Sequence, residues 1–147
     1  NELTYQLAMI EVEMAAEQLS QAEQRIHRLR ELYPQHYPLQ QLQVELQLKQ
    51  NQPQQAEKTL DSLLKSRPGD PDIWYQVAEV RGLSGNAIGL HQARAEFFAL
   101  VGDFDQALQQ LDLAKRRAMG NFPLAASIDA RQQQLRDDQR LVQSLMR

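Results

Sequence analysis

The sequence predicts an all-α fold assembled from stacked helical hairpins, and three observations carry that prediction. The string Ala22-x3-Ile26-x2-Leu29-x4-Pro34 recurs as Ala56-x3-Leu60-x2-Leu63-x4-Pro68, every element displaced by 34 residues. A partial third copy, Ala107-x3-Leu111-x2-Ala114, follows the second by 51, which is one and a half periods. Glutamine is the unusual component, with 23 of the 147 residues dispersed among Leu and Ala instead of gathered in one tract. Gln forms helices well and suits an uncharged solvated face, and a fixed period of this length marks a helical repeat array.

A small Ala, a large apolar residue four positions on and a closing Pro in a unit of 34 is the spacing of the tetratricopeptide repeat, a helix-turn-helix unit. The expected architecture is therefore a tetratricopeptide-repeat solenoid of about eight antiparallel helices with a long C-terminal capping helix. As a single helical-repeat domain over 1–147, it divides into repeats at 3–36 and 37–70, a shortened repeat at 71–101, a fourth at 87–120 and the capping helix at 121–147. Its helices are expected at 3–16, 20–33, 38–50, 54–67, 71–84, 87–101, 104–118 and 122–146.

Each element has its own reason. The helix at 20–33 is opened by Ser20 with Glu23 three residues on, the pattern of a capping box. Ala22, Ala56 and Ala107 mark where antiparallel helices approach most closely, and Ile26, Leu60 and Leu111 fill the space one turn later. Pro34 and Pro68 end their helices by lacking an N–H and clashing with the preceding turn. In the fifth helix Trp74 takes the aromatic position of the repeat and Val77-Ala78 its Leu-Gly pair, a structural role.

The half period requires the helix at 87–101 to serve two units, with Leu90, Phe97 and Leu100 facing one neighbour and Ala95, Phe98 and Val101 the other. Arg94 is then a cation where the repeat usually has an apolar residue. It is either a structural ion pair with Glu79, Glu96 or Asp129, or a ligand contact. Gly102 supplies a left-handed closure, and Asp103 opens the seventh helix. Lys115-Arg116-Arg117 fall in that helix's last turn, where cations complement the dipole. Asn121 caps the last helix and Pro123 is tolerated in its first turn. Leu124, Ile128, Leu135, Val142 and Leu145 form a seam there, interrupted by Arg131 and Asp138. The reading is a polar terminal cap, with a coiled-coil dimer as the alternative.

Composition narrows the function. With 16 Lys+Arg against 19 Asp+Glu the net charge is −3, so no basic excess favours nucleic acid or anionic lipid. The absence of Cys excludes a disulfide framework and a cysteine nucleophile. No run approaches the apolar length of a membrane span, and the chain opens on Asn1 with no signal-like stretch, so it reads as an excised, soluble, mature segment. His27, His36 and His91 are widely separated and lack the H-E-x-x-H spacing that places two zinc ligands on one helical face. Neither a glycine-rich phosphate loop nor a G-x-S-x-G elbow occurs. The chain is therefore expected to be neither an enzyme nor a cofactor carrier.

What the repeat frame offers is a groove lined by the first helix of each unit. Its ninth position is Glu11, Glu45 and Glu79, with Glu96 at the half period, and its fifth is Leu7, Gln41, Tyr75 and Gln92. An acidic, partly apolar groove suits an extended or helical protein segment, whereas capture of a C-terminal carboxylate would need Lys and Asn there. The same glutamates also fit a plain solvated face. The expected partner-binding set is Leu7, Glu11, Gln41, Glu45, Tyr75, Glu79, Arg94 and Glu96.

One stretch carries a more specific resemblance. Ala93-Arg94-Ala95-Glu96-x2-Ala99-Leu100-x-Gly102-x2-Asp105-Gln106-Ala107, followed by Ile128-Asp129-Ala130-Arg131 and Gln134-Leu135-Arg136, resembles the C-terminal tetratricopeptide region of the BepA-type periplasmic zinc metalloproteases. These assist β-barrel assembly in the bacterial outer membrane. The resemblance runs over about residues 70–137. It implies a fragment whose catalytic domain, with its H-E-x-x-H zinc site, lies elsewhere, so zinc is expected only there. It further implies a periplasmic address, with outer-membrane β-barrel assembly components or substrates and the protein's own protease domain as partners. Without it, the reading is a general tetratricopeptide adaptor, with a cytoplasmic address open.

Overall fold

A computed structural model describes residues 1–147 as eight α-helices and no strand. They are α1 (Glu2–Ala15), α2 (Leu19–Leu32), α3 (Tyr37–Lys49), α4 (Pro53–Ser66), α5 (Pro71–Leu83), α6 (Ala87–Leu100), α7 (Phe104–Arg117) and α8 (Phe122–Leu145). Each bound falls within one residue of its expectation, because the prolines, caps and small residues that set it act locally. The helices form two compact units, Asn1–Ser66 and Arg67–Arg147.

In the first unit α1 packs on α2, α2 on α3 and α3 on α4. Ile10, Met14, Ala22, Ile26, Leu29, Leu39, Leu42 and Leu46 make one buried cluster, and Ala56, Leu60 and Leu63 are buried in α4. One charge is buried with them. Glu13 accepts from Arg25 Nε at 2.6 Å and from Nη2 at 3.4 Å, and the same guanidinium donates to Gln6 Oε1. That hydrogen bond to Glu13 raises the Arg25 pKa above the usual guanidinium value, against the opposing effect of burial.

The turns inside the hairpins share one closure. The N–H of Gln18, Gln52, Asn86 and Asp103 reaches back five residues to the carbonyls of Glu13, Gln47, Arg81 and Phe98, each at 2.8 Å. The residue before each donor is left-handed: Glu17 (φ 59°), Asn51 (58°), Gly85 (79°) and Gly102 (83°). This is the Schellman pattern, recurring at 34, 34 and then 17 residues, so the half period is written into the backbone as well as the side chains. Gly102 is as expected; Glu17 carries a Cβ in a region that disfavours one. The capping box at Ser20 does not form. Helix α2 begins at Leu19, placing Ser20 inside its first turn, and no side chain caps it. Glu23 instead accepts from Gln50 Nε2 at 3.3 Å.

In the second unit α6 lies between α5 and α7 and packs on both. The contact is made by small residues, since Gly89, Ala93 and Ala95 are the buried positions of α6. A Cβ on Gly89 would come within 2.4 Å of the Asn86 amide and 2.8 Å of Arg81 Cδ, so a larger residue would have to displace both side chains. Phe97 and Phe98 are half-buried, whereas Leu100 and Val101, expected to face neighbours, are exposed because the helix ends there.

Helix α8 differs from expectation along its length. Ile128 and Leu135 are buried and Leu124 packs beside them, but Leu141, Val142 and Leu145 are exposed. Arg131 is an anchor and no interruption. It forms a two-pronged bond to Glu96, Nε to Oε2 and Nη2 to Oε1, both 2.8 Å. Gln132 donates to Asp112 at 2.7 Å, Gln139 to Asp105 at 2.9 Å, and Lys115 pairs with Asp129 at 2.6 Å. Most of these polar bonds flank the buried stretch from Ile128 to Leu135, and only that of Gln139 lies beyond it.

Candidate protein-docking site

Helices α5 and α6 enclose an open pocket of about 210 Å³, lined by Tyr75, Ala78, Glu79, Arg94, Phe97 and Phe98. Its floor is aromatic. The Tyr75 ring meets Phe97 edge-on at 5.8 Å between centroids, and Phe97 meets Phe98 the same way at 5.4 Å. Tyr75 is 60% exposed and makes one of these T-shaped contacts, with Phe97. The local fold explains the arrangement. Tyr75 and Glu79 stand one turn apart on α5, and Arg94, Phe97 and Phe98 three to four apart on α6, so both sets share a face. The packing of α6 on α5 brings the two faces together.

The charges at the rim are uncommitted. Glu79 and Arg94 are both exposed, and neither has an ion-pair or hydrogen-bond partner. Arg94 is thus not the buried ion pair that its repeat position allowed. It stands between the buried Ala93 and Ala95, about 100° around the helix from each, and so points away from the packed face. Two of its candidate partners are occupied, Glu96 by Arg131 and Asp129 by Lys115. Glu96 accordingly anchors α8 and is no free groove carboxylate; its hydrogen bond raises the Arg131 pKa, again opposed by burial.

Of the expected partner-binding residues, Tyr75, Glu79 and Arg94 therefore come together. Leu7, Glu11, Gln41 and Glu45 lie in the first unit. Leu7 packs on the core, Glu11 and Glu45 are exposed on α1 and α3, and the Gln41 amide donates to the Tyr37 hydroxyl at 3.0 Å. Sequence reasoning assigned Phe97 and Phe98 to core contacts of α6 and missed that they form the pocket floor. The available signal was their spacing, since Phe97 and Phe98 lie three and four residues beyond Arg94 and so fall beside it on the helix surface.

The histidines take local roles. His36 Nδ1 accepts from the Leu39 N–H at the start of α3, and His91 Nδ1 meets Gln110 Oε1 at 2.8 Å. No group of three or more His, Asp or Glu side chains converges as a metal site, and no helix is long and apolar enough to cross a membrane.

The tetratricopeptide repeat family matches residues 13–80, just under half of the chain. With eight helices and no strand, the fold class is all-α of the tetratricopeptide-repeat type, and the match spans the buried Ala22, Ile26, Ala56 and Leu60 that define the period. No curated protein matches the sequence. Tetratricopeptide repeats are protein-binding units, and an aromatic pocket with an uncommitted acid and base at its rim is a surface of that kind.

Proposed function

We propose that the chain is a protein-interaction module that docks a segment of a partner protein in the α5–α6 pocket. One observation carries this reading: Tyr75, an exposed aromatic ring in edge contact with Phe97, stands over a pocket whose rim presents unpaired Glu79 and Arg94. Exposed aromatics and arginines in pockets are where interface energy concentrates. The pocket volume fits one or two side chains of the incoming segment, and the opposite charges at its rim select segments with a matching pair.

In its finer form, the proposal is that these repeats serve a BepA-type periplasmic zinc metalloprotease, receiving outer-membrane assembly components or misassembled barrels and presenting them to a catalytic domain. Zinc and catalysis then belong to that domain, and the chain itself does no chemistry. The support is the Ala93–Ala107 string with its Asp129-Ala130-Arg131 continuation, in which Arg94, Glu96, Asp129 and Arg131 hold the positions described above. The alternative is a general adaptor with no attached protease. It is favoured by the family match, which falls on residues 13–80 and leaves most of 70–137 unclaimed.

Photocrosslinking from position 75 in the native host, with mass spectrometry of what is captured, tests both levels. Capture of assembly components or barrel precursors, lost on Arg94→Ala, is the expected result. Crosslinks only to an attached protease domain would make the pocket an intramolecular control site. Unchanged capture by folded Phe97→Ala and Arg94→Ala variants would remove the pocket from consideration.

A further inference from the structure

Arg25 and Arg131 meet their carboxylates in the same way. Each turns the Nε–Nη2 edge of its guanidinium to a glutamate, Glu13 and Glu96, and engages both carboxylate oxygens. Arg25 also places Nη1 on the side-chain oxygen of Gln6. Arg30, further along α2, repeats half of that arrangement, its Nη1 donating to Gln43 Oε1 of α3. Its Nε is the one buried side-chain nitrogen or oxygen of the chain without a hydrogen-bond partner, and Arg30 forms no ion pair. A buried donor left unpaired is costly, and the Nε–Nη2 edge is the side of a guanidinium that matches a carboxylate.

The neighbouring acids are committed or turned away. Glu45, the one acid of α3, stands two residues from Gln43 and so about 200° around the helix. Glu31 follows Arg30 on α2 but pairs with His27 at 3.5 Å. Glu23 is two turns back, about 10 Å along the axis, and accepts from Gln50.

Arg30 lines an open cleft of about 350 Å³ between α2 and α3, together with the buried Ile26 and Leu46. On the α3 side the polar lining is amide, from Gln43, Gln47 and Gln50. Gln43 gives its oxygen to Arg30, which can only donate, and Gln47 Oε1 accepts from the Thr59 hydroxyl at 2.9 Å. Both amides are thereby left with NH2 groups to donate, one turn apart on α3.

We propose that the α2–α3 cleft is a second ligand site, which takes a carboxylate of a bound peptide on the Nε–Nη2 edge of Arg30 with the Gln43 and Gln47 amides donating beside it. Arg30 is only partly buried, so a rotation of its side chain presents that edge to the cleft. The site belongs to the first unit and is independent of the α5–α6 pocket. Its carboxylate comes from an Asp or Glu side chain or from a chain terminus.

Arginine Nε–H groups give their own cross-peaks in proton–nitrogen correlation spectra, so the contact can be read directly. The labelled full chain is titrated at constant ionic strength with acetyl-Ala-Ala-Glu-Ala-Ala-amide and with acetyl-pentaalanine carrying a free C-terminus, each to roughly 10 mM, a range suited to a one-contact ligand. The Arg30 Nε–H peak should move and saturate with at least one of them, the Gln43 amide following, while the Arg25 and Arg131 peaks hold still. Movement with the first alone assigns an acidic side chain, and with the second alone a chain terminus. Arg30→Lys keeps the charge but loses the edge, and should weaken binding about tenfold, read from the backbone N–H groups of Gln43 and Gln47. An Arg30 peak that stays still with both peptides overturns the proposal. So does equal movement with acetyl-Ala-Ala-Gln-Ala-Ala-amide, which has no carboxylate, or undiminished affinity in a folded Arg30→Lys.

Discussion

The buried Glu13–Arg25 pair makes an asymmetric prediction. Only 5% of the Glu13 side chain is exposed against 20% of Arg25, so the carboxylate has almost no access to water if its partner is removed. Arg25→Met breaks both bonds to Glu13 and strands a buried charge, at a cost of about 3 kcal/mol or more. Glu13→Gln leaves a guanidinium that keeps its bond to Gln6 and reaches solvent, costing about 1–2 kcal/mol. Arg25→Met combined with Glu13→Leu removes both charges and should return to within about 1 kcal/mol of wild type. Urea unfolding followed by far-UV circular dichroism is the assay, because the one tryptophan, Trp74, lies on α5 in the second unit. The raised Arg25 pKa also gives a sign. A cation with a raised folded-state pKa contributes its stability at every pH below the unfolded value and loses it only in the far alkaline range, so the Arg25→Met deficit should be nearly flat between about pH 6 and 9. A cost below about 1 kcal/mol for Arg25→Met, or a double variant less stable than that single one, would refute the reasoning.

Three further outcomes are expected. Glu17→Gly should stabilise by about 0.5–1 kcal/mol, because it relieves a side chain at φ 59° in a turn whose counterparts include Gly85 and Gly102; an unchanged or lower urea midpoint would contradict this. Gly89→Ala should destabilise by about 1–3 kcal/mol through the 2.4 Å approach to Asn86, read as loss in the Trp74 fluorescence transition. Tyr75→Ala and Arg94→Ala should each leave stability within about 0.5 kcal/mol of wild type while weakening partner capture, and unfolding in either would return that residue to the core.

Most of the fold could be read from the chain because its determinants are local and repeated. Ala22, Ala56 and Ala107 are fully buried where the 34-residue period and its half step place them, and Asp103 and Asn121 accept the capping hydrogen bonds their sequence positions predict. Ser20 shows the limit of such reasoning. Its pattern with Glu23 was satisfactory, but the closure from Gln18 back to Glu13 starts the helix a residue early and leaves the hydroxyl with nothing to cap.

The candidate site was less legible. Tyr75, Glu79 and Arg94 were identified individually from the repeat register, since that register says which face of a helix a residue occupies. It does not say which charges have already found partners. Glu96 and Arg94 are two residues apart with equal claims to a ligand, yet Arg131, 35 positions on, takes the first and no carboxylate reaches the second. Phe97 and Phe98 line the pocket because α6 packs on α5, an arrangement set by both helices together. Sequence by itself determined the helices, their turns and the small-residue contacts, all properties of neighbours along the chain. Tertiary structure alone decided which exposed charges remain free and where the apolar seam of α8 stops being covered, because pairing and burial depend on residues that distant segments bring within a few ångströms.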